Sequence, residues 1–163
     1  MVMTAPELQL THIPSVKTGM LIRRPPSEVF QALVDPAITT RFWFTKSSGK
    51  MVPGANIQWD WEMYSVSTKV SVKEVEDNRR ILMEWGPEGK LATVEFRFIP
   101  WRDNTTYVQV TETGLSGTGD EIVDHAIDST GGFTFMLCAL KALLEHDVVL
   151  TVVGDKAPAG LEV

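Results

Sequence analysis

The sequence predicts an α+β domain in which a curved antiparallel sheet of about six strands wraps a long C-terminal helix, with two short helices after the first strand. Three observations carry this. Period-two alternation recurs between residues 56 and 111, in segments separated by short turns. Apolar or small residues from Val123 to Leu144 then recur at helical spacing. Ahead of both lies one alternating segment that stops at Pro25-Pro26.

The elements follow in order. Residues 1–14 carry Pro6 and Pro14 without any period and read as a flexible leader. Val16, Thr18, Met20 and Ile22 alternate with Lys17, Gly19, Leu21 and Arg23 as a first strand, which the prolines end. Ser27 and Glu28 open a short helix with Val29, Phe30 and Leu33 on its apolar side. Asp35-Pro36 breaks it, and a second short helix runs to about Thr40. Ser47 to Lys50 and Pro53-Gly54 read as turns.

The stretch NIQWDWEMY, residues 56–64, then places Ile57, Trp59, Trp61 and Met63 on one strand face and Gln58, Asp60 and Glu62 on the other. Four more alternating strands follow. They contain Val66 to Val72, Ile81 to Trp85, Val94 to Phe98 and Val108 to Val110, with Asp77-Asn78, Gly86 to Gly89 and Asp103-Asn104 as turns. The dry face of such a meander must be covered.

The cover is a helix of roughly 25 residues, opening after the turn-rich segment Gly114 to Gly119 with Asp120 as N-cap. Gly131-Gly132 falls inside it, where each glycine costs about 1 kcal/mol against alanine. Close helix–sheet packing, a kink or room for a bound molecule would each offset that cost, and packing is the favoured reading. Val148 to Val153 reads as a short extended tail. The organisation is a leader over 1–14, one domain over 15–153 and a tail over 154–163.

Composition sets the outer bounds. The chain has 163 residues, 44% hydrophobic and 22% charged, as an ordinary globular protein does. A net charge of -6 argues against nucleic-acid or anionic-membrane partners. The basic pairs Arg23-Arg24 and Arg79-Arg80 read as solvated strand or turn ends. The one cysteine, Cys138, excludes an internal disulfide and fits a reducing compartment. The N-terminus has no signal-peptide pattern, and no continuous apolar run has the roughly 18 residues of a membrane span. A cytoplasmic protein is the expectation.

Reactive chemistry is sparse. His12, His125 and His146 lie far apart with no metal-ligand spacing, so neither a metal nor another cofactor is expected. Asp124, His125 and Asp128 read as a solvated helix edge. Cys138 sits among Leu137, Ala139 and Leu140 as a small core residue without a base. Gly117-Thr118-Gly119 precedes a helix, but Asp120-Glu121 puts two carboxylates where an anion would bind. No catalytic residue is assigned. Glu112 is the exception among the carboxylates, because it shares the parity of Val108 and Val110. It either turns inward as a ligand partner or acid/base group, or follows the end of its strand into water. The sequence alone weighs toward water.

The stretches PPSEVFQALVDPAITTRFWFTKSSGKMVPGA, WDWEM and GTGDEIVDHAIDSTGGFTFMLCALKALLEHD carry a family likeness over about residues 16–147. The chain resembles the START-like (SRPBCC) helix-grip superfamily, and within it stand-alone bacterial members of the group named for the activator of a heat-shock chaperone ATPase. The resemblance implies a deep apolar cavity between sheet and helix. Some relatives bind lipids, polyketides or other flat hydrophobic molecules, and a few cyclise or dehydrate them. The founding eukaryotic members act on a chaperone in the stress response through a further N-terminal domain, for which this chain has no room. Where many relatives carry a tryptophan early in the last helix, this sequence has Phe133.

Inward parity then yields the candidate ligand-binding residues Trp59, Trp61, Met63, Met83, Trp85, Phe96, Phe98, Phe133 and Met136, joined by Trp43 and Phe44 from the preceding connection and by Glu112. Buried indoles need partners for their N–H groups, and methionines make an adaptable wall. Both traits suit a cavity for a hydrophobic, aromatic or polyketide/lipid-like small molecule. The expected function is binding of such a ligand. A cyclase or dehydratase using Glu112 or His125, and a chaperone partner acting through its surface, are the alternatives.

Overall fold

The computed structural model describes residues 5–163. Strand β1 (Val16–Ile22) is followed by helices α1 (Pro26–Val34) and α2 (Pro36–Thr39). Then come β2 (Lys46–Ser47), β3 (Asn56–Trp61), β4 (Val66–Glu76), β5 (Arg80–Trp85), β6 (Ala92–Trp101) and β7 (Thr105–Thr113). Helix α3 (Gly119–His146) and the short α4 (Val152–Asp155) complete the described chain. The strands form one antiparallel sheet in the order β1-β7-β6-β5-β4-β3-β2. The first strand therefore closes against the last, and α3 lies across the concave face.

Seven strands replace the expected six or so, because Lys46 and Ser47, the latter inside the segment read as a turn, pair with Asp60 and Trp59. The first four residues of the expected leader lie outside the described residues. Its remainder has no regular structure, yet the Leu8 carbonyl crosses Gly119 so closely that a Cβ there would lie 2.0 Å from it.

Alternation holds where strands are regular. Val70, Val72, Ile81, Met83, Val94, Phe96, Phe98, Val108 and Val110 all point into the core. A bulge between Val72 and Glu74 resets β4, so that Val75 comes to pair with Ile81. The outer face is wet, and there Arg80 and Arg97 both donate to Glu95. Burial alone would raise the Glu95 carboxyl, but these two guanidinium groups outweigh it and hold it below the usual carboxylate range.

Two helix boundaries differ from expectation. Thr118, not Asp120, caps α3, its hydroxyl accepting from the Glu121 N–H at 3.2 Å. Asp120 instead lies in the first turn, where a carboxylate favours the helix dipole. Val152 and Val153, read as extended, belong to α4. Tyr64 supplies the reason: its hydroxyl donates to the carbonyls of Val153 and Gly154 and ties that segment across the domain. Residue spacing along the segment itself carries no sign of this tie. α4 also crosses the expected boundary between domain and tail.

The far end of α3 is fastened to β1. Lys141 Nζ donates to the Leu21 carbonyl at 2.8 Å and to Glu145 at 2.6 Å, and Glu145 accepts from the Arg23 N–H at 3.0 Å. Among the described residues α3 alone is long and apolar enough, by length and composition, to cross a membrane. Its apolar face here is the one that packs into the sheet.

Candidate functional site

The space between sheet and helix is filled unevenly. Beneath the C-terminal half of α3 it is solid; beside the N-terminal half it opens into a cleft of about 770 Å³. Trp61, Trp85 and Ala92 form its sheet side, and His125, Ser129, Gly132 and Phe133 its helix side. Tyr64, Val153 and Lys156 close one flank; Pro87, Lys90, Leu115 and Ser116 form the other.

Local backbone geometry opens this end. Gly86 at φ 113° turns the chain away directly after Trp85, and Gly114 at φ 78° ends β7. The chain thereby leaves the sheet before it can close over the indole. Gly132 keeps the helix side open as well: a Cβ there would meet nothing within 4 Å. Of the three readings of the glycine pair, close packing is overturned at Gly132 by that gap. At Gly131 a Cβ would meet only the Lys156 side chain, at 3.1 Å.

Trp43 is the hub of the aromatic wall. Its ring centroid lies 5.0 Å from Trp59, 6.0 Å from Trp61, 6.2 Å from Trp85 and 6.0 Å from Phe133. Trp85 and Phe133 stack at 5.6 Å with planes 23° apart, bracing the sheet side against the helix side. Each such pair adds about 0.5–1.5 kcal/mol beyond area burial, which favours this arrangement of the wall.

Glu112 resolves against the weighing made from sequence. β7 continues through it to Thr113, and its side chain is 0% exposed. Oε2 accepts from Trp85 Nε1–H at 2.7 Å, and Oε1 lies 3.2 Å from His125 Nε2. The carboxyl group thus sits behind the cleft wall and joins two residues that line it. His125, read as a solvated helix edge, is half-exposed and faces the cleft.

The other sequence candidates divide. Trp43, Trp61, Trp85 and Phe133 line the cleft. Phe44, Trp59, Met83, Phe96, Phe98 and Met136 are fully or almost fully buried in the core behind it. Trp59, expected with Trp61 to line the cavity, instead stacks on Phe44 at 4.6 Å, and its buried indole N–H has no partner among the described residues. Met63 is a correction. β3 ends at Trp61, a single 3-10 turn follows over Glu62–Tyr64, and Met63 is 40% exposed beside Gly154. Its alternation with Trp61 ends with the strand.

Parity could not have found Tyr64, Lys90 or Lys156, which arrive from a turn, a loop and the tail. His125 did leave a signal. His125, Ser129 and Gly132 recur at helical neighbour spacing and place a polar-to-small stripe beside Phe133. The cations are matched by anions, with Lys90 3.7 Å from Glu121 and Lys156 4.0 Å from Asp128. The rim therefore carries no single-sign field.

Comparison with known proteins agrees with this architecture. No curated protein matches the chain. A solved protein from Staphylococcus saprophyticus is 29% identical, with 84% of this chain and 96% of that one covered and a TM-score of 0.72. The Aha1 dimer from Colwellia psychrerythraea is 19% identical over 82% of this chain and 97% of that one, with a TM-score of 0.67. CalU16 from Micromonospora echinospora is 19% identical over 86% and 80%, with a TM-score of 0.68. At 19% identity these last two likenesses speak for the helix-grip fold alone. The family model described as Activator of Hsp90 ATPase homolog 1-like protein matches residues 23–145, three quarters of the sequence including the cleft's aromatic wall, and the chain belongs to that family.

Proposed function

We propose that the protein binds a hydrophobic, flat, aromatic or polyketide/lipid-like small molecule in the cleft between the sheet and the first half of α3. The observation that carries this reading is the cleft itself, about 770 Å³ and walled by Trp43, Trp61, Trp85 and Phe133. Its volume falls within the roughly 300–1,000 Å³ typical of small-molecule sites, and its lining is mainly apolar with a few converging polar groups. Cytoplasmic placement and any link to the stress response belong to this proposal.

The test is titration of intrinsic tryptophan fluorescence with a panel of flavonoids, aromatic polyketides and fatty acids. Saturable quenching by at least one class is expected. A flat response to every class would sink the reading. Native mass spectrometry of the purified protein would then identify what it retains.

A second reading, a cyclase or dehydratase acting on such a ligand, has one observation in its favour: the Glu112–His125 contact at the cleft wall. A Glu112→Gln variant that converts an identified ligand as fast as the parent would remove Glu112 from that role. Action on a chaperone rests on the family description alone, and stimulation of a purified bacterial chaperone ATPase would test it.

A further inference from the structure

Resting on the cavity reading above, we infer that Glu112 and His125 form a recognition dyad for one acidic hydroxyl, a phenol or enol, on an otherwise apolar ligand. Glu112 is the fixed member of the pair. It is fully buried, and Trp85 Nε1–H can only donate, so Oε2 is committed as an acceptor. The remaining oxygen lies 3.2 Å from His125 Nε2. A ring nitrogen held by a carboxyl group fixes both the orientation of an imidazole and the role left to its other nitrogen. That other nitrogen, Nδ1, has no hydrogen-bond partner among the described residues, although His125 lines the cleft. Among the described ionisable groups that line the cleft, His125 alone is braced from behind by a buried carboxyl.

The chemistry of the pair selects the ligand group. With Nε2–H donating to the carboxylate, Nδ1 presents a lone pair and accepts from a ligand O–H. If the proton passes from that hydroxyl to Nδ1, the imidazolium donates back to the ligand oxygen. One hydrogen bond joins ligand and dyad at either proton position, and no proton is gained or lost in the move. A hydroxyl acidic enough to share its proton with imidazole suits both ends. An alkyl ether can only accept, so it has no proton to give to the Nδ1 lone pair. A carboxylate is disfavoured because Glu121 and Asp128 also line the cleft and offset Lys90 and Lys156. The stacked Trp85–Phe133 pair bridges the sheet and helix sides of the cleft and favours a ring beside the hydroxyl.

The test compares two probes of the same flat skeleton, 2-naphthol and its methyl ether 2-methoxynaphthalene, by isothermal titration calorimetry. The parent should bind the naphthol roughly tenfold more tightly, the effect of one good hydrogen bond inside a protein. His125→Phe should bring the ratio to about one by weakening naphthol while leaving the ether unchanged. Glu112→Gln should lower the same ratio, and it reports on Glu112 as a positioning residue because a merely structural change would weaken both probes together. His125 is half-exposed, so its variant carries the test even where the Glu112 variant does not fold. Equal binding of the two probes to the parent, or a preference that survives His125→Phe, overturns the dyad while leaving the cavity in place. Binding of neither probe to the folded parent overturns the dyad; only a flat fluorescence response to the whole ligand panel overturns the cavity as well.

Discussion

The two halves of α3 belong to one continuous helix and do opposite work. From Phe133 onward it buries Phe133, Met136, Leu137, Ala139, Leu140 and Leu143, while from Gly119 to Gly132 it buries only Ile122. The C-terminal half is also fastened to β1 through Lys141 and Glu145. The N-terminal half instead presents His125, Ser129 and Gly132 to open space. Stability is thus concentrated at one end and binding capacity at the other, which lets one end stay partly unfilled without unfolding the domain.

Truncation should expose the contrast most sharply. Leu140→Ala should lose about 2–5 kcal/mol in urea unfolding, as expected for a leucine deleted from a packed interior. Ile127→Ala, on an outward face of the other half at 68% exposure, should stay within about 0.5 kcal/mol. Equal losses would mean that the two halves are not distinct. Next in size is a change that fills the cleft. Gly132→Leu should leave the circular dichroism spectrum intact and weaken 2-naphthol binding by about tenfold, near 1.4 kcal/mol. Retained affinity in that variant would place the ligand elsewhere.

A smaller effect appears with pH. Burial alone would raise the Glu145 carboxyl, but hydrogen bonds from Lys141 and the Arg23 N–H hold it below its usual 4.5. A depressed folded-state value means the unfolded chain takes up the proton first on acidification. This contribution is therefore complete above about pH 4.5 and lost as pH falls through the lower folded value. Glu145→Gln should flatten that part of a plot of stability against pH. The smallest change is Gly132→Ala. With nothing for a Cβ to meet, it should gain about 0.4–1 kcal/mol in thermal unfolding, because helix propensity rises without a clash.

How much of this was readable in the sequence follows from how local each cause is. Sheet faces and the long helix were readable because period-two and helical patterns are repeated many times over. Lys46-Ser47 was not, because two residues hold no period. Trp59 and Trp61 shared one reading since alternation cannot register how far a strand lies from the helix's open end. The structure separates them, one into the core and one onto the wall. Glu112 carried the correct parity, but its strand's end is set by Gly114 and by what lies across from it. Trp85 and His125 come to it from another strand and from α3, and neither is visible along β7 itself. α4 is the extreme case: a β-branched run made helical beside a tyrosine nearly ninety positions upstream.

Clustering of the indoles has a spectroscopic consequence. Four of the chain's five tryptophans, Trp43, Trp59, Trp61 and Trp85, have ring centroids 5.0–6.4 Å apart wherever they meet. The fifth, Trp101, lies on the outer surface with 54% exposure. Excitation absorbed by any member of the cluster passes readily among neighbours this close, so the four emit as one chromophore. Whatever occupies the cleft touches three of them directly and is sensed by the fourth through its neighbours. Trp101→Phe would leave an emission spectrum that reports on the cleft and its wall alone.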